Sequence, residues 1–131
     1  MVHHERFFTG VQKSGARMIY HPCGGEYPIL IQVRQVPGVD AYHFSELVDV
    51  GIVRQIYGPD VTLWGNVDPH VTLLMQTPDE VEAAVKSQIE RTAVLGRFIM
   101  SPGCSTPGNM PEANLAALTA ATQKYGRYPM I

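Results

Sequence analysis

The stretch VTLWGNVDPHVTLLMQTPDEVEAAVKSQIERTAVLGRFIMSPGC, residues 61–104, contains one complete strand–helix–strand unit. Its centre predicts a helix over residues 77–96, because Thr77 is suited to be the N-cap, Pro78 the first helical residue, and Glu80 the partner that closes a capping box. Apolar, β-rich runs flank this helix at residues 61–68 and 97–104. Apolar strands separated by a helix are typical of a parallel sheet.

The same alternation extends towards the amino terminus. Further β-rich runs occupy residues 16–23 and 39–44, and further helical patterns occupy residues 3–15, 27–36, 45–58 and 111–126. The predicted order is one helix followed by four βα units, which is an α/β fold with a parallel sheet. Two architectures accommodate it: a small doubly wound sheet, or half of a TIM-type (βα)8 barrel, whose complete form takes about 250 residues. In both, ligands bind at the carboxyl ends of the strands.

Composition narrows the class of protein. The chain has 131 residues, of which 45% are hydrophobic and 17% charged, and its formal net charge is −2, as expected of one soluble globular domain spanning residues 1–131. Ten Lys and Arg are scattered among twelve acidic residues, so no nucleic-acid partner is expected. No apolar run could span a bilayer and the opening MVHHERFF lacks the features of a signal peptide, so no membrane association and a cytoplasmic location are expected.

Histidine and cysteine side chains fall at the ends of two predicted strands. His21 and Cys23 are two residues apart and point to the same side of a strand, Pro22 keeps His21 extended, and Gly24-Gly25 allow the chain to turn away. Cys104 ends the last strand on the same rim. Together they offer three ligands suited to zinc with a fourth position open. From spacing alone, the alternative that these cysteines are buried apolar side chains stays open.

Other polar residues also follow strands. Asn66 and Asp68 lie at the carboxyl end of the third strand, where they are expected either to bind substrate or to form an Asx turn before Pro69. His43 and His70 are interpreted as polar strand or loop residues.

Several segments, in order, resemble the carboxy-terminal half of the uroporphyrinogen decarboxylase family: HPCGG, VTLWGNVDP, TPDEVEAAVKSQIE, FIMSPGCSTPGNMPEANLAAL and KYG. Within that family they are most similar to the zinc-dependent methylcobalamin:coenzyme M methyltransferase branch. The resemblance implies that the chain forms the last four βα units of a barrel. It also implies that His21, Cys23 and Cys104 are the ligands of Zn2+, and that a methyl corrinoid is the substrate or a partner-bound cofactor.

The resemblance implies a reaction as well. Zinc would deprotonate a thiol substrate, and the thiolate would take a methyl group from the corrinoid. A carboxylate ligand in that branch matches Ser45 here, with Glu46 beside it, so Glu46 is either an additional ligand or a cap for the helix expected to begin there. The alternatives are metal-independent decarboxylation of a porphyrinogen, or a catalytically incomplete chain that binds only a tetrapyrrole or a partner.

Half a barrel also has consequences for assembly. Its first and last strands would be open edges and its inner face would be uncovered, which is an unstable arrangement for a parallel sheet. We therefore expect either a homodimer or a separate chain that supplies the missing half. A corrinoid protein is a further expected partner.

Overall fold

The computed structural model of the chain describes residues 2–24, 27–93 and 96–128. The helices in these residues are α1 (Val2–Lys13), α2 (Tyr27–Val33), α3 (Val50–Tyr57), α4 (Thr72–Met75), α5 (Pro78–Thr92) and α6 (Glu112–Tyr125). The strands are β1 (Ile19–Tyr20), β2 (Ala41–His43), β3 (Thr62–Trp64) and β4 (Phe98–Ile99). None of these helices is both long enough and apolar enough to cross a membrane. The predicted alternation is confirmed, and the short α4 is an addition to it.

The four strands form one parallel sheet in the order β1-β2-β3-β4. A doubly wound sheet reverses its strand order at a switch point, whereas a barrel adds each new strand beside the previous one. The sequential order therefore matches a segment of a barrel and excludes the doubly wound alternative for the described strands. The predicted parallel α/β class is confirmed.

The hydrophobic core lies between the sheet and the helices. Tyr42, Leu63 and Phe98 occupy neighbouring register positions and pack against helical side chains. The buried residues of the two core clusters are Leu30, Val33, Tyr42, Phe44, Val48, Val50, Val53, Tyr57 and Leu63, and Val67, Leu73, Val81, Val85, Ile89, Ala93, Leu118 and Ala121. Strand alternation puts Ile19 and Ile99 on the opposite face, where they are 47% and 41% exposed. We call this face, with His43 and Trp64 on it, the inner face.

Helix α5 follows its sequence signals closely. The Thr77 side chain accepts a hydrogen bond from the Glu80 backbone nitrogen, and the Glu80 carboxylate accepts one from the Thr77 backbone nitrogen at 2.8 Å, so the capping box is complete. The predicted apolar face of α5 is fully buried. This helix closes the βα unit that precedes β4.

Helix α3 begins later than predicted. Its N-cap is Asp49, whose Oδ1 accepts hydrogen bonds from the backbone nitrogens of Gly51 (2.8 Å) and Ile52 (3.1 Å). Arg91 also binds the Asp49 carboxylate and lowers its pKa. Residues 45–49 are therefore a turn outside the helix, and the expectation that Glu46 caps α3 is wrong. Asp49 binds two free backbone N–H groups of the first turn, and this fixes the start of the helix.

The strands are shorter than the β-rich runs that predicted them. The ladder stops soon before Pro22 and Pro102, which have no N–H group to donate. Beyond the last two strands the chain still runs side by side, since Val67 and Pro102 form an isolated parallel bridge. Residues past β4 are thereby kept beside residues past β3.

Arg54 joins several elements at the end of the sheet where strands β3 and β4 begin. Arg54 is a residue of α3 and is only 9% exposed. The guanidinium group donates to carbonyl oxygens of Thr92 (3.2 Å), Gly58 (2.9 Å), Val61 (2.8 Å), Gly96 (3.4 Å) and Arg97 (2.9 Å). These carbonyls belong to the ends of α3 and α5 and to the segments that lead into β3 and β4, so one side chain connects four parts of the fold.

Candidate metal centre

His21, Cys23 and Cys104 converge on one point. Each offers one ligand atom, and these atoms all lie within 4.8 Å of one another. His21 and Cys23 follow β1, whereas Cys104 follows β4, at the other edge of the sheet. In a flat sheet, strands three positions apart would be separated by about 14 Å. The sheet curvature and the two loops therefore bring residues from opposite edges together over the carboxyl ends of the strands.

The imidazole of His21 is oriented by a hydrogen bond. Its Nδ1 lies 2.9 Å from the backbone oxygen of His43. Because a carbonyl oxygen can only accept, Nδ1 carries a proton, and in the neutral imidazole Nε2 then keeps its lone pair. Histidines that bind metals commonly donate their second ring N–H to such an acceptor. The tautomer of His21 is therefore the one suited to a ligand.

The loop that carries Cys104 is held from two sides. The backbone nitrogen of Gly103 donates to the Val67 oxygen at 2.8 Å, on the β3 side. The Pro102 oxygen lies 2.9 Å from Nε2 of His43, on the β2 side. These two bonds fix the positions of Gly103 and Pro102, the two residues that precede Cys104.

Cys104 lies close enough to Cys23 to affect the ionisation of the Cys23 thiol. Negative charge on Cys104 raises the pKa of Cys23, and the charge of Glu46 acts in the same direction. Two adjacent thiolates repel one another, so the fully ionised pair requires a nearby positive charge. A divalent cation between the sulfurs would supply that charge.

Glu46 lies close to this centre without belonging to the three-residue group. The Ser45 hydroxyl donates to its carboxylate at 3.2 Å. The carboxylate also lies beside Gly103, since a Cβ on that glycine would be 2.9 Å from Glu46 Oε2 and would clash with the Glu46 backbone nitrogen. The role of Glu46 as an additional ligand stays a prediction.

Gly103 provides a direct test of this close approach. We expect Gly103→Ala to displace the Cys104 loop, because the new methyl group overlaps backbone atoms of Glu46 that cannot rotate away. Zinc affinity, measured by competition with a chromophoric chelator, should fall by about tenfold or more. Gly108→Ala is the matched control on the far side of Cys104, since a Cβ there would meet nothing within 4 Å. Equal affinities in the two variants would contradict this description of the loop.

The side chains of Asn66 and Asp68 both form hydrogen bonds with backbone groups. The buried Asn66 amide donates to the oxygens of Ser45 and Val48, both at 2.8 Å. Asp68 Oδ1 accepts from the backbone nitrogens of His70 (2.7 Å) and Val71 (2.8 Å), which is the predicted Asx turn. Both residues also line a cleft of about 370 Å³ together with Glu46, Asp49 and Arg91. Their role in binding substrate stays a prediction.

His43 was expected to be only a polar strand or loop residue, but its ring lies beside that of His21 in the candidate metal centre. Its ring is 4.5 Å from the ring of His21 and 5.5 Å from that of Trp64, measured between centroids. The buried Trp64 Nε1 has no hydrogen-bond partner among the described residues. The signal that could have identified His43 is a repeat: Tyr20-His21 and Tyr42-His43 end adjacent strands, and the register pairs Tyr20 with Tyr42.

Gly24, directly after Cys23, has the positive φ expected of a turn, 133°. Gly25, the second glycine predicted to take part in that turn, lies outside the described residues.

Comparison with known proteins identifies relatives of this chain. A family model described as uroporphyrinogen decarboxylase (URO-D) matches residues 1–125. The chain is 28% identical over 108 residues to the methylcobamide:CoM methyltransferase MtaA of Methanosarcina barkeri, an alignment that covers 82% of this chain and 30% of that protein.

A solved structure has a fold similar to that of this chain. The chain is similar to a methyltransferase from Methanosarcina mazei with a TM-score of 0.80 and 26% sequence identity, covering 95% of this chain and 35% of the other. The described fold therefore corresponds to part of a URO-D-like barrel, as predicted. The chain spans about a third of the length of the relatives it matches.

Proposed function

Because the chain belongs to the uroporphyrinogen decarboxylase (URO-D) family, we propose that it is a zinc-binding, methyltransferase-like member of that family. The observation that carries the proposal is the convergence of His21, Cys23 and Cys104. The relative named as a methylcobamide:CoM methyltransferase supports the choice of reaction. The proposed reaction is methyl transfer from a methyl corrinoid to a thiol.

The donor set fits zinc. Two sulfurs and one imidazole nitrogen are ligands that tetrahedral Zn2+ prefers, and three protein ligands leave one position for a substrate. Around a tetrahedral zinc such donors lie about 3.5–3.8 Å apart, given the usual bond lengths. The three ligand atoms already lie within 4.8 Å of one another, so a movement of about 1 Å or less completes the geometry.

The residues of the chain have distinct tasks in this proposal. A zinc ion held here would favour the thiolate form of a thiol substrate at neutral pH, which is the form that can accept a methyl group. Cys23 and Cys104 act as ionised ligands, and His21 binds through Nε2 while its Nδ1–H group donates to the backbone oxygen of His43. None of the three transfers a proton. His21 and Cys23 are exposed in the chain, so substrates can reach the centre.

A turnover assay tests the proposal. Zinc-loaded chain is mixed with methylcobalamin and coenzyme M, and formation of the methyl thioether is followed by mass spectrometry. We expect product that disappears after zinc is removed with a chelator and returns when zinc is restored. An absence of zinc-dependent methyl transfer would contradict the proposal. Metal-independent decarboxylation of uroporphyrinogen would instead assign the chain to decarboxylase chemistry, and binding without turnover would identify an incomplete site.

We also propose that a second copy of the chain covers the inner face. The face carries the exposed apolar side chains Ile19 and Ile99, and strands β1 and β4 each pair on one side only among the described residues. Two copies would provide eight parallel strands, the number in a closed TIM-type barrel. Burying such edges and apolar area removes the exposure that makes open parallel sheets unstable.

Solution mass tests this assembly. Light scattering at micromolar concentration should give twice the mass of one 14.5 kDa chain. Ile99→Glu should shift the mass towards that of one chain, because a charge in the buried interface is unfavourable. Leu115→Glu, at an exposed position on α6, is the control. A wild-type mass of one chain would contradict the dimer.

A further inference from the structure

We propose that His43 is a positioning residue of the metal centre, which holds the segments carrying His21 and Cys104 in one arrangement. The inference rests on the proposed zinc site and assigns a role to a histidine outside the ligand set. His43 ends β2, which is adjacent to β1 and two positions from β4. It is therefore placed between the two edges from which the ligands come.

The first contact is to the His21 side. The backbone oxygen of His43 accepts the Nδ1 proton of His21 at 2.9 Å. The two imidazole rings also lie against each other, with centroids 4.5 Å apart and planes 32° from parallel. The position and tautomer of His21 therefore depend on where the end of β2 lies.

The second contact is to the Cys104 side. Nε2 of His43 lies 2.9 Å from the Pro102 oxygen, and because that oxygen only accepts, Nε2 is protonated and donates. The Ser101 hydroxyl donates to the same oxygen at 2.8 Å. With Nε2 occupied in this bond, the ring supports the loop of Cys104 and is not itself a ligand through that nitrogen.

The orientation of the His43 ring is restrained by its neighbours. It lies between the rings of His21 and Trp64, whose centroids are 4.5 Å and 5.5 Å away. A ring restrained on both sides keeps its N–H directed at one acceptor. The side-chain bond thus couples the end of β2 to the loop after β4, across the intervening strand β3.

Two substitutions separate the hydrogen bond from the ring. His43→Phe keeps an aromatic ring between its neighbours and removes the donor, whereas His43→Gln retains a side-chain amide N–H at about the same reach as Nε2. Zinc affinity, measured by chelator competition, should fall about tenfold to a hundredfold in His43→Phe and recover most of that loss in His43→Gln. His70→Phe, at an exposed position outside the centre, should bind zinc as the wild type does.

A second readout needs no metal. In a Cys23→Ser background, where Cys104 is the remaining thiol, the rate of Cys104 alkylation by iodoacetamide reports how firmly its loop is held. Adding His43→Phe should raise this rate several-fold, and adding His43→Gln should return it towards the Cys23→Ser value. Circular dichroism and thermal unfolding check that each variant folds.

The two readouts distinguish the failures. If the wild type binds no zinc but His43→Phe accelerates alkylation, the zinc proposal fails and the role of His43 in positioning the loop survives. Zinc affinity within about twofold of wild type in His43→Phe, together with an unchanged alkylation rate, would overturn the inference while leaving the zinc site intact.

Discussion

Cys104→Ser and Cys23→Ser are each expected to abolish tight zinc binding. Replacing a thiol with a hydroxyl removes a ligand that ionises near neutral pH and substitutes one that does not. If three protein ligands share a binding free energy of about 10 kcal/mol, loss of one weakens the affinity by about a hundredfold or more. The cost is large because only three donors converge in the described residues.

Binding of Co2+ in place of zinc shows whether the lost ligand is a sulfur. Co2+ bound to thiolates gives charge-transfer absorption that increases with the number of sulfurs, so each single cysteine variant should lose about half of the wild-type intensity or all of it. His21→Ala should also weaken binding, whereas the exposed His70→Ala should not. Undiminished cobalt absorption in either cysteine variant would exclude that sulfur from the centre.

Arg54→Met is expected to be the most destabilising single substitution far from the candidate metal centre. Methionine keeps most of the side-chain volume but removes all five hydrogen bonds to carbonyl oxygens. The buried bond to the Thr92 oxygen and the four part-buried bonds to the other oxygens would then be lost together. A buried acceptor left without a partner costs about 1–3 kcal/mol, so we expect the five lost bonds to cost about 3 kcal/mol in total.

Urea unfolding measures this effect. The free energy of unfolding of Arg54→Met should fall by that amount, or the chain should be unfolded in the absence of urea. Arg6→Met is the control, because Arg6 is an exposed arginine of helix α1. A loss below about 1 kcal/mol would show that water replaces the guanidinium group and that the network is not essential to the fold.

Local signals in the sequence were sufficient to predict the alternation of helices and parallel strands, whereas the choice of half a barrel over a doubly wound sheet came from the family resemblance. Thr77, Pro78 and Glu80 predicted the start of α5 correctly because each interacts with backbone only a few residues away. The predicted start of α3 was wrong because Asp49, four residues into the predicted helical pattern, is the N-cap that the packed structure uses.

Prediction of the candidate metal centre depended on distances between residues far apart in the chain. The sequence placed His21, Cys23 and Cys104 on one rim, but the distance between opposite edges of a sheet depends on its curvature, which no local pattern specifies. His43 was missed for a related reason. Its importance follows from the register between β1 and β2 and from its contact with Pro102, 59 residues later in the chain.

Metal content is the measurement that tests the proposed zinc centre most directly. Purified wild-type chain, dialysed against a weak chelator, is analysed for zinc by mass spectrometry, and its free thiols are titrated in parallel. We predict about one zinc per chain and slow modification of Cys23 and Cys104, each of which becomes reactive once zinc is removed. A chain that stays metal-free after zinc is supplied, with both thiols freely modifiable, would contradict the proposed centre.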